Sequence, residues 1–198
     1  MPPPDRRGPR GKLATRRASL ALRDAMAGGE RAAASAAICD AANALLAARV
    51  SPGLVVALYR AKGSEVDTAR IDDFARMRGW LVAYPRVSAK TRVLGFHAVP
   101  PEALAPSGFG LHEPSADAPA VALEDIAAFV VPGLAFDRAG GRLGWGRGHY
   151  DATLAAAAPG ALRVGLAFER QLVAHVAREA HDEGLHIIIT EVATHMVA

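Results

Sequence analysis

Apolar residues along this chain alternate between two rhythms. Short, mainly apolar runs at 54–59, 80–84, 93–99, 126–131, 162–168 and 185–190 have the length and β-branched content of buried strands. Between them lie stretches with helical spacing: 12–26, which stops before Gly28 and Gly29; 30–48, with Ile38, Leu45 and Leu46 on its apolar stripe; 67–77; and 150–158, closed by Pro159 and Gly160. Strands that alternate with helices predict an α/β domain. Its sheet is mainly parallel with helices on both faces, and its loops gather at the carboxyl edge of the strands, where such sheets bind ligands. Asp67 opens one helix and is expected to cap it. The stretch 100–119 has no clear rhythm, and its length is more usual for a functional or mobile loop than for a simple connection.

Composition narrows the class. A chain of 198 residues, 51% hydrophobic and 22% charged, can bury one substantial core and is expected to be a single domain over 11–198. No apolar run approaches the ~20 residues of a spanning helix, so no membrane partner is expected. The single cysteine, Cys39, excludes an internal disulfide, and its alanine-rich helical setting predicts a small buried residue rather than a nucleophile. Of the net charge of +3, residues 1–24 carry +5 (seven basic side chains against Asp5 and Asp24), leaving −2 elsewhere. This basic head lacks interleaved aromatics, and three consecutive prolines spoil an amphipathic presequence, so neither nucleic acid nor a transit peptide is favoured. Residues 1–10 are read as a disordered basic tail.

The chemistry concentrates between the run at 126–131 and the helix at 150–158. Gly140, Gly141, Gly144, Gly146 and Gly148 crowd nine residues, leaving backbone N–H groups uncovered and able to wrap an anion near a helix N-terminus. Arg142 and Arg147 add planar guanidinium forks suited to phosphate oxygens. The loop is neither of the two familiar phosphate motifs. It has no lysine for a Walker A loop, and Gly144, Gly146 and Gly148 are spaced one residue too tightly for a dinucleotide fingerprint. On residues alone, a flexible arginine-rich surface loop stands beside the phosphate reading.

The run Val131-Pro132-Gly133-Leu134-Ala135-Phe136-Asp137, followed by Gly141-Arg142-Leu143-Gly144-Trp145-Gly146-Arg147-Gly148-His149-Tyr150-Asp151, resembles the signature of the 5-formyltetrahydrofolate cyclo-ligases, also called methenyltetrahydrofolate synthetases. Lys12-Leu13-Ala14-Thr15-Arg16, Ser64-Glu65-Val66-Asp67, Gly108-Phe109-Gly110-Leu111-His112-Glu113-Pro114 and His181-Asp182 match further family segments in order. The resemblance implies a three-layer α/β sandwich of the ribose-5-phosphate isomerase and CoA transferase type. It implies ATP- and Mg²⁺-dependent closure of 5-formyltetrahydrofolate to 5,10-methenyltetrahydrofolate, in a cytoplasmic monomer. Lys12, Arg16 and the loop Gly140, Gly141, Arg142, Leu143, Gly144, Trp145, Gly146, Arg147 and Gly148 would hold ATP, with Arg142 and Arg147 neutralising charge during transfer. Glu65, Phe109 and Tyr150 would meet the folate, and Asp182 would support Mg²⁺. His149 stands where the family usually has an aromatic residue, and Arg147 where glycine or lysine is commoner. The alternative is a non-catalytic folate- or nucleotide-binding regulator of the same fold, reaching RNA through the basic head.

Overall fold

The computed structural model describes residues 9–179 and 181–197. Helix α1 (Pro9–Asp24) starts earlier than its apolar pattern indicates, with proline in the first turn, where a missing N–H is harmless. Of the expected tail, residues 1–8 lie outside the described residues, whereas Pro9 and Arg10 are already helical. Helix α2 (Gly28–Arg49), strand β1 (Val55–Ala57), helix α3 (Ala69–Met77), and strands β2 (Leu81–Arg86) and β3 (Gly95–Ala98) follow the expected order. The N-cap of α3 is Thr68 rather than Asp67, which sits one residue earlier and whose Oδ1 accepts the N–H of Ala69 at 3.1 Å. Cys39 is fully buried, and burial pushes its thiol up to about 12, which makes it unreactive at neutral pH.

The stretch after β3 is less irregular than its sequence. Strands β4 (Ala105–Pro106) and β5 (His112–Glu113) pair with each other, and β6 (Ala120–Val121) returns to the main sheet. Strand β7 (Ile126–Val131) leads into a small hairpin, β8 (Ala135–Phe136) and β9 (Arg142–Leu143), and then to helix α4 (His149–Ala156). Strands β10 (Leu162–Leu166), β11 (Ile187–Ile189) and β12 (Thr194–Met196) complete the chain. β12 is too short and polar to register as an apolar run, and it is set by its antiparallel pairing with β11.

The eight-stranded sheet runs β12-β11-β10-β7-β1-β2-β3-β6. Its five central strands, β11, β10, β7, β1 and β2, are parallel, and the outer pairings are antiparallel. Both faces are covered, which is why the central strands are apolar without alternation. Val56, Val82, Ala128, Val130, Val164 and Ile187 pack beneath α2 and α3, against Ile38, Leu46 and Ile71. On the other face Val55, Ala57, Phe129 and Val131 pack with Leu154 of α4 and Phe136 of the hairpin. Each such Leu, Ile or Phe contributes about 1.5–3 kcal/mol on burial. Val55 pairs with Ile126 but Val56 with Ala128, so β7 carries a bulge at that step. This extra residue puts Ile126 and Ala128, two apart in sequence, on opposite faces.

The chain builds outward from β1 to β2 and β3, then returns to the opposite side of β1 with β7. The strand order therefore reverses between β1 and β7, and the segments that follow those two strands diverge to leave a crevice. Helix α1 lies across this carboxyl edge, touching Ser64 after β1, Gly133 after β7 and the short 3-10 helix Glu169–Gln171 after β10.

Candidate active site

A cavity of about 710 Å³ opens at that crevice. Its walls come from α1, the loop after β1, the end of β2 with the β2–β3 connection, the β4–β5 segment, the turn after β7, the glycine loop with the start of α4, and the stretch before β11. Lys12, Arg16, Glu65, Phe109, Arg142, Leu143, Gly144, Trp145, Gly146, Arg147, Gly148, Tyr150 and Asp182, distant in sequence, all line it.

Gly140 and Gly141 do not. They are buried in the turn of the β8–β9 hairpin, away from the cavity. Gly140 has φ +81°, and a Cβ there would stand 2.6 Å from the carbonyl oxygen of Leu185. The glycine loop is thus two devices. Its first pair of glycines closes a structural turn, and Gly144, Gly146 and Gly148 form the lip of the cavity. Asp137 holds the turn: its Oδ1 accepts the N–H groups of Ala139 (3.0 Å) and Gly141 (2.8 Å), and its Oδ2 that of Val176 (2.7 Å).

One end of the cavity is strongly charged. Lys12 Nζ donates to Glu179 Oε1 at 2.7 Å and Asp182 Oδ2 at 3.3 Å. Burial opposes the charge on Lys12, but the hydrogen bonds and charges of these two carboxylates outweigh it and lift the amine above the ordinary lysine range. Glu179, hydrogen-bonded to Lys12, is held below the usual carboxylate range. Arg16, one turn along α1, donates from Nε to the Gly144 carbonyl at 2.8 Å and so seats α1 against the lip. Among the described residues no three or more His, Cys, Asp or Glu side chains gather as a metal cage.

The two loop arginines differ sharply. The Arg142 side chain is 4% exposed, its Nη2 donates to Asp151 Oδ1 at 2.9 Å, and its guanidinium lies 5.4 Å from the centre of the Tyr150 ring. Its Nε is buried without a partner, so one donor of this guanidinium is left unsatisfied, a cost that folded proteins usually avoid. Arg147 is exposed and stacks on Phe109 at 3.7 Å. That contact clasps the lip to the loop before β5, where Phe109 takes φ +63°, unusual for a residue with a side chain.

The other end is aromatic and carries the carboxylates Glu65 and Glu113. Burial pushes the Glu65 carboxyl up, while the Lys62 backbone N–H (3.0 Å), the charge of Arg23, the Trp145 side chain and the charge of Lys62 pull it back. Tyr59 and Tyr150 flank it, and burial raises both phenols above their ordinary range. Lys62 spans the mouth: its ammonium donates to the Phe109 carbonyl and lies 5.8 Å from the Trp145 ring. Glu113 has one oxygen fixed by the Val87 N–H at 3.0 Å and also lines the cavity.

Sequence reading assigned no site role to Asp151, Glu113, Glu179 or Lys62. Asp151 and Glu113 lie inside segments already singled out, so their signal was available. Glu179 and Lys62 are lone charges in loops, with nothing local to separate them from solvated ones.

An open α/β sheet with a cavity at its switch point, charged at one end and aromatic at the other, defines a small-molecule-binding protein of the doubly wound class. Within that class the chain belongs to the 5-formyltetrahydrofolate cyclo-ligase family, whose sequence profile matches residues 7–191. A 5-formyltetrahydrofolate cyclo-ligase of Mycolicibacterium smegmatis is 36% identical over 91 residues, which cover 46% of this chain and 47% of the relative. The chain thus matches about half the length of that curated relative. The solution structure of Aquifex aeolicus 5,10-methenyltetrahydrofolate synthetase superposes with a TM-score of 0.80 at 28% identity, covering 94% of this chain and 92% of that one. The structure of a 5,10-methenyltetrahydrofolate synthetase from Mycoplasma pneumoniae shares the fold, with a TM-score of 0.75 at 22% identity over 91% of this chain and 98% of the other.

Proposed function

We propose that this protein uses ATP to convert 5-formyltetrahydrofolate to 5,10-methenyltetrahydrofolate, releasing ADP and phosphate. The observation that carries the reading is that a cation-lined end and an aromatic end with the half-buried carboxylate of Glu65 share one cavity, in a chain of this family. The Aquifex aeolicus structure, similar across nearly the whole length, bears the name of that activity.

The chemistry accounts for two dissimilar ends. A formyl amide oxygen is a poor leaving group, so ring closure requires it to leave as phosphate. The formyl oxygen attacks the γ-phosphorus and the bond to ADP breaks. The neighbouring N10 then attacks the activated formyl carbon and loses its proton, and the C–O bond breaks to release inorganic phosphate. The protein's part is positioning and charge neutralisation, with no covalent enzyme intermediate. Lys12, Arg16, Arg142, Arg147 and the amides of Gly144, Gly146 and Gly148 hold the triphosphate. Glu65 orients the folate, which stacks near Phe109 and lies beside Tyr150.

Mg²⁺ carried on ATP needs only one or two protein oxygens, so the absence of a cage among the described residues suits it. Asp182 and Glu179 supply hard carboxylate oxygens at the charged end, and the bound ion would add positive charge beside the phosphates. No described helix is long and apolar enough to cross a membrane, and an ATP co-substrate suits the cytoplasm.

Purified protein with Mg²⁺, ATP and 5-formyltetrahydrofolate should produce the near-ultraviolet absorbance of the methenyl product in step with ADP, and neither ligand alone should support turnover. Binding of both ligands without that product would overturn the reaction and leave a binding protein.

A further inference from the structure

Helix α1 turns an unusual face inward. Lys12, Arg16, Ser19 and Arg23 recur at steps of four, three and four, so they share one side of the helix. That side, polar rather than apolar, meets the rest of the protein. Lys12 reaches the Glu179–Asp182 pair and Arg16 reaches the glycine lip. Arg23, only 2% exposed, takes no part in the phosphate end. Its Nε donates to Ser64 Oγ at 2.9 Å and its Nη1 to the Gly133 carbonyl at 3.3 Å. The Ser64 hydroxyl in turn donates a hydrogen bond to Asp24 Oδ1, and the Gly133 carbonyl also accepts from Gln171 Nε2 at 3.0 Å.

These two acceptors stand at the switch point: Ser64 follows β1 and precedes Glu65, and Gly133 follows β7. A buried guanidinium is a poor device for stability alone, because desolvation opposes most of what its contacts contribute. Burial indeed pushes Arg23 down, against the opposing charges of Glu65 and Asp24. An aliphatic residue could fill similar volume, but it could not tie the two diverging segments together.

We propose that Arg23 is a positioning residue for the folate end: by bridging Ser64 and Gly133 across the switch point, it fixes where Glu65 stands in the cavity. The proposal rests on the reading of Glu65 as the folate carboxylate. Arg23 also has an electrostatic consequence. The groups that most affect Glu65 are Arg23 on α1, Lys62 on its own loop and Trp145 on the glycine lip, with Tyr59 just after β1 and Tyr150 on α4 beside it. Only Arg23 and Lys62 are cations. Burial already raises the Glu65 carboxyl, so removing the Arg23 charge lets it rise further. If folate binds the ionised form, affinity is gained as pH rises through that value, and the midpoint moves up in the variant.

The test is calorimetric binding of 5-formyltetrahydrofolate, and separately of a non-hydrolysable ATP analogue, across pH for wild type, Arg23→Met, Arg23→Lys and Ser64→Ala. Arg23→Met should weaken folate binding about tenfold, the scale of a lost charged hydrogen-bond arrangement. ATP-analogue affinity should stay within about twofold, and the folate midpoint should move to higher pH. Arg23→Lys should restore the midpoint but only part of the affinity, because an ammonium lacks the planar fork. Ser64→Ala should weaken folate binding with an unmoved midpoint. Wild-type folate affinity in Arg23→Met, or equal loss for both ligands with no shift in midpoint, would overturn the proposal. If Arg23→Met does not fold, unchanged folate binding in both Arg23→Lys and Ser64→Ala would do so. Wild type that binds folate but forms no methenyl product sinks the reaction and leaves this test standing. Wild type that binds no folate sinks both.

Discussion

Arg142 and Arg147 carry the same guanidinium five residues apart, and the sequence offers one role for both. The structure separates them by environment. Arg142 is buried and compensates Asp151; Arg147 is exposed and rests on Phe109. Arg142→Ala should therefore abolish most turnover and also destabilise the fold by about 3 kcal/mol, because it strands a part-buried carboxylate. Arg147→Ala loses an exposed cation–π contact of about 0.5–1 kcal/mol, so it should barely move the melting temperature while raising the KM for ATP. Thermal denaturation with steady-state kinetics reads both. Wild-type turnover in the two variants would remove these arginines from phosphate binding. Residue type was legible here, but partner and burial were not, since Asp151 reaches Arg142 only once α4 begins beside the hairpin.

At the scale of elements, the glycine loop looked like one phosphate cradle and is a structural turn followed by a lip. Gly140 and Gly146 provide the contrast, because both have positive φ. Gly140→Ala meets the Leu185 carbonyl at 2.6 Å, and Gly146→Ala, at φ +92°, meets the Arg16 guanidinium at 3.0 Å. The first should cost about 1–3 kcal/mol or more of stability, leaving activity per folded molecule near wild type. The second pushes on a movable side chain that the lip needs, so ATP affinity should fall more than stability. A Gly140→Ala protein that is fully stable yet inactive would return that turn to the binding site. Spacing alone could not divide the loop, because the division depends on Asp137 bonding Val176 and on Leu185 packing beneath the turn. The same limit applies to α1, whose basic face reads as a solvated stripe until three separate segments fold against it.

Across the whole molecule, the cavity walls come from segments far apart in sequence, held together by polar and cation–π contacts such as Arg16 to Gly144 and Arg147 to Phe109. Ligands that bridge those walls should stabilise the fold. At a hundredfold excess over Kd, one ligand contributes about 2.7 kcal/mol, an increase of roughly 5–10 °C in melting temperature for a chain of this size. ATP with Mg²⁺ and 5-formyltetrahydrofolate should each produce such a shift in differential scanning experiments. No shift with either ligand at saturating concentration would contradict a shared cavity.

The sequence by itself determined the α/β class, the order of the principal strands and helices, the family, and somewhat under half of the residues that meet in the cavity. These follow from local periodicity and from motifs contained in single short segments, and both survive without knowledge of neighbours. Tertiary structure alone decided the reversal between β1 and β7, the bulge that splits Ile126 from Ala128, and the pairing of the polar β12. It also decided which glycines face the ligand, and it revealed the bridge from Arg23 to Ser64 and Gly133. Each of these depends on contacts between residues tens of positions apart. Their energies come from burial and from partners that no local window contains.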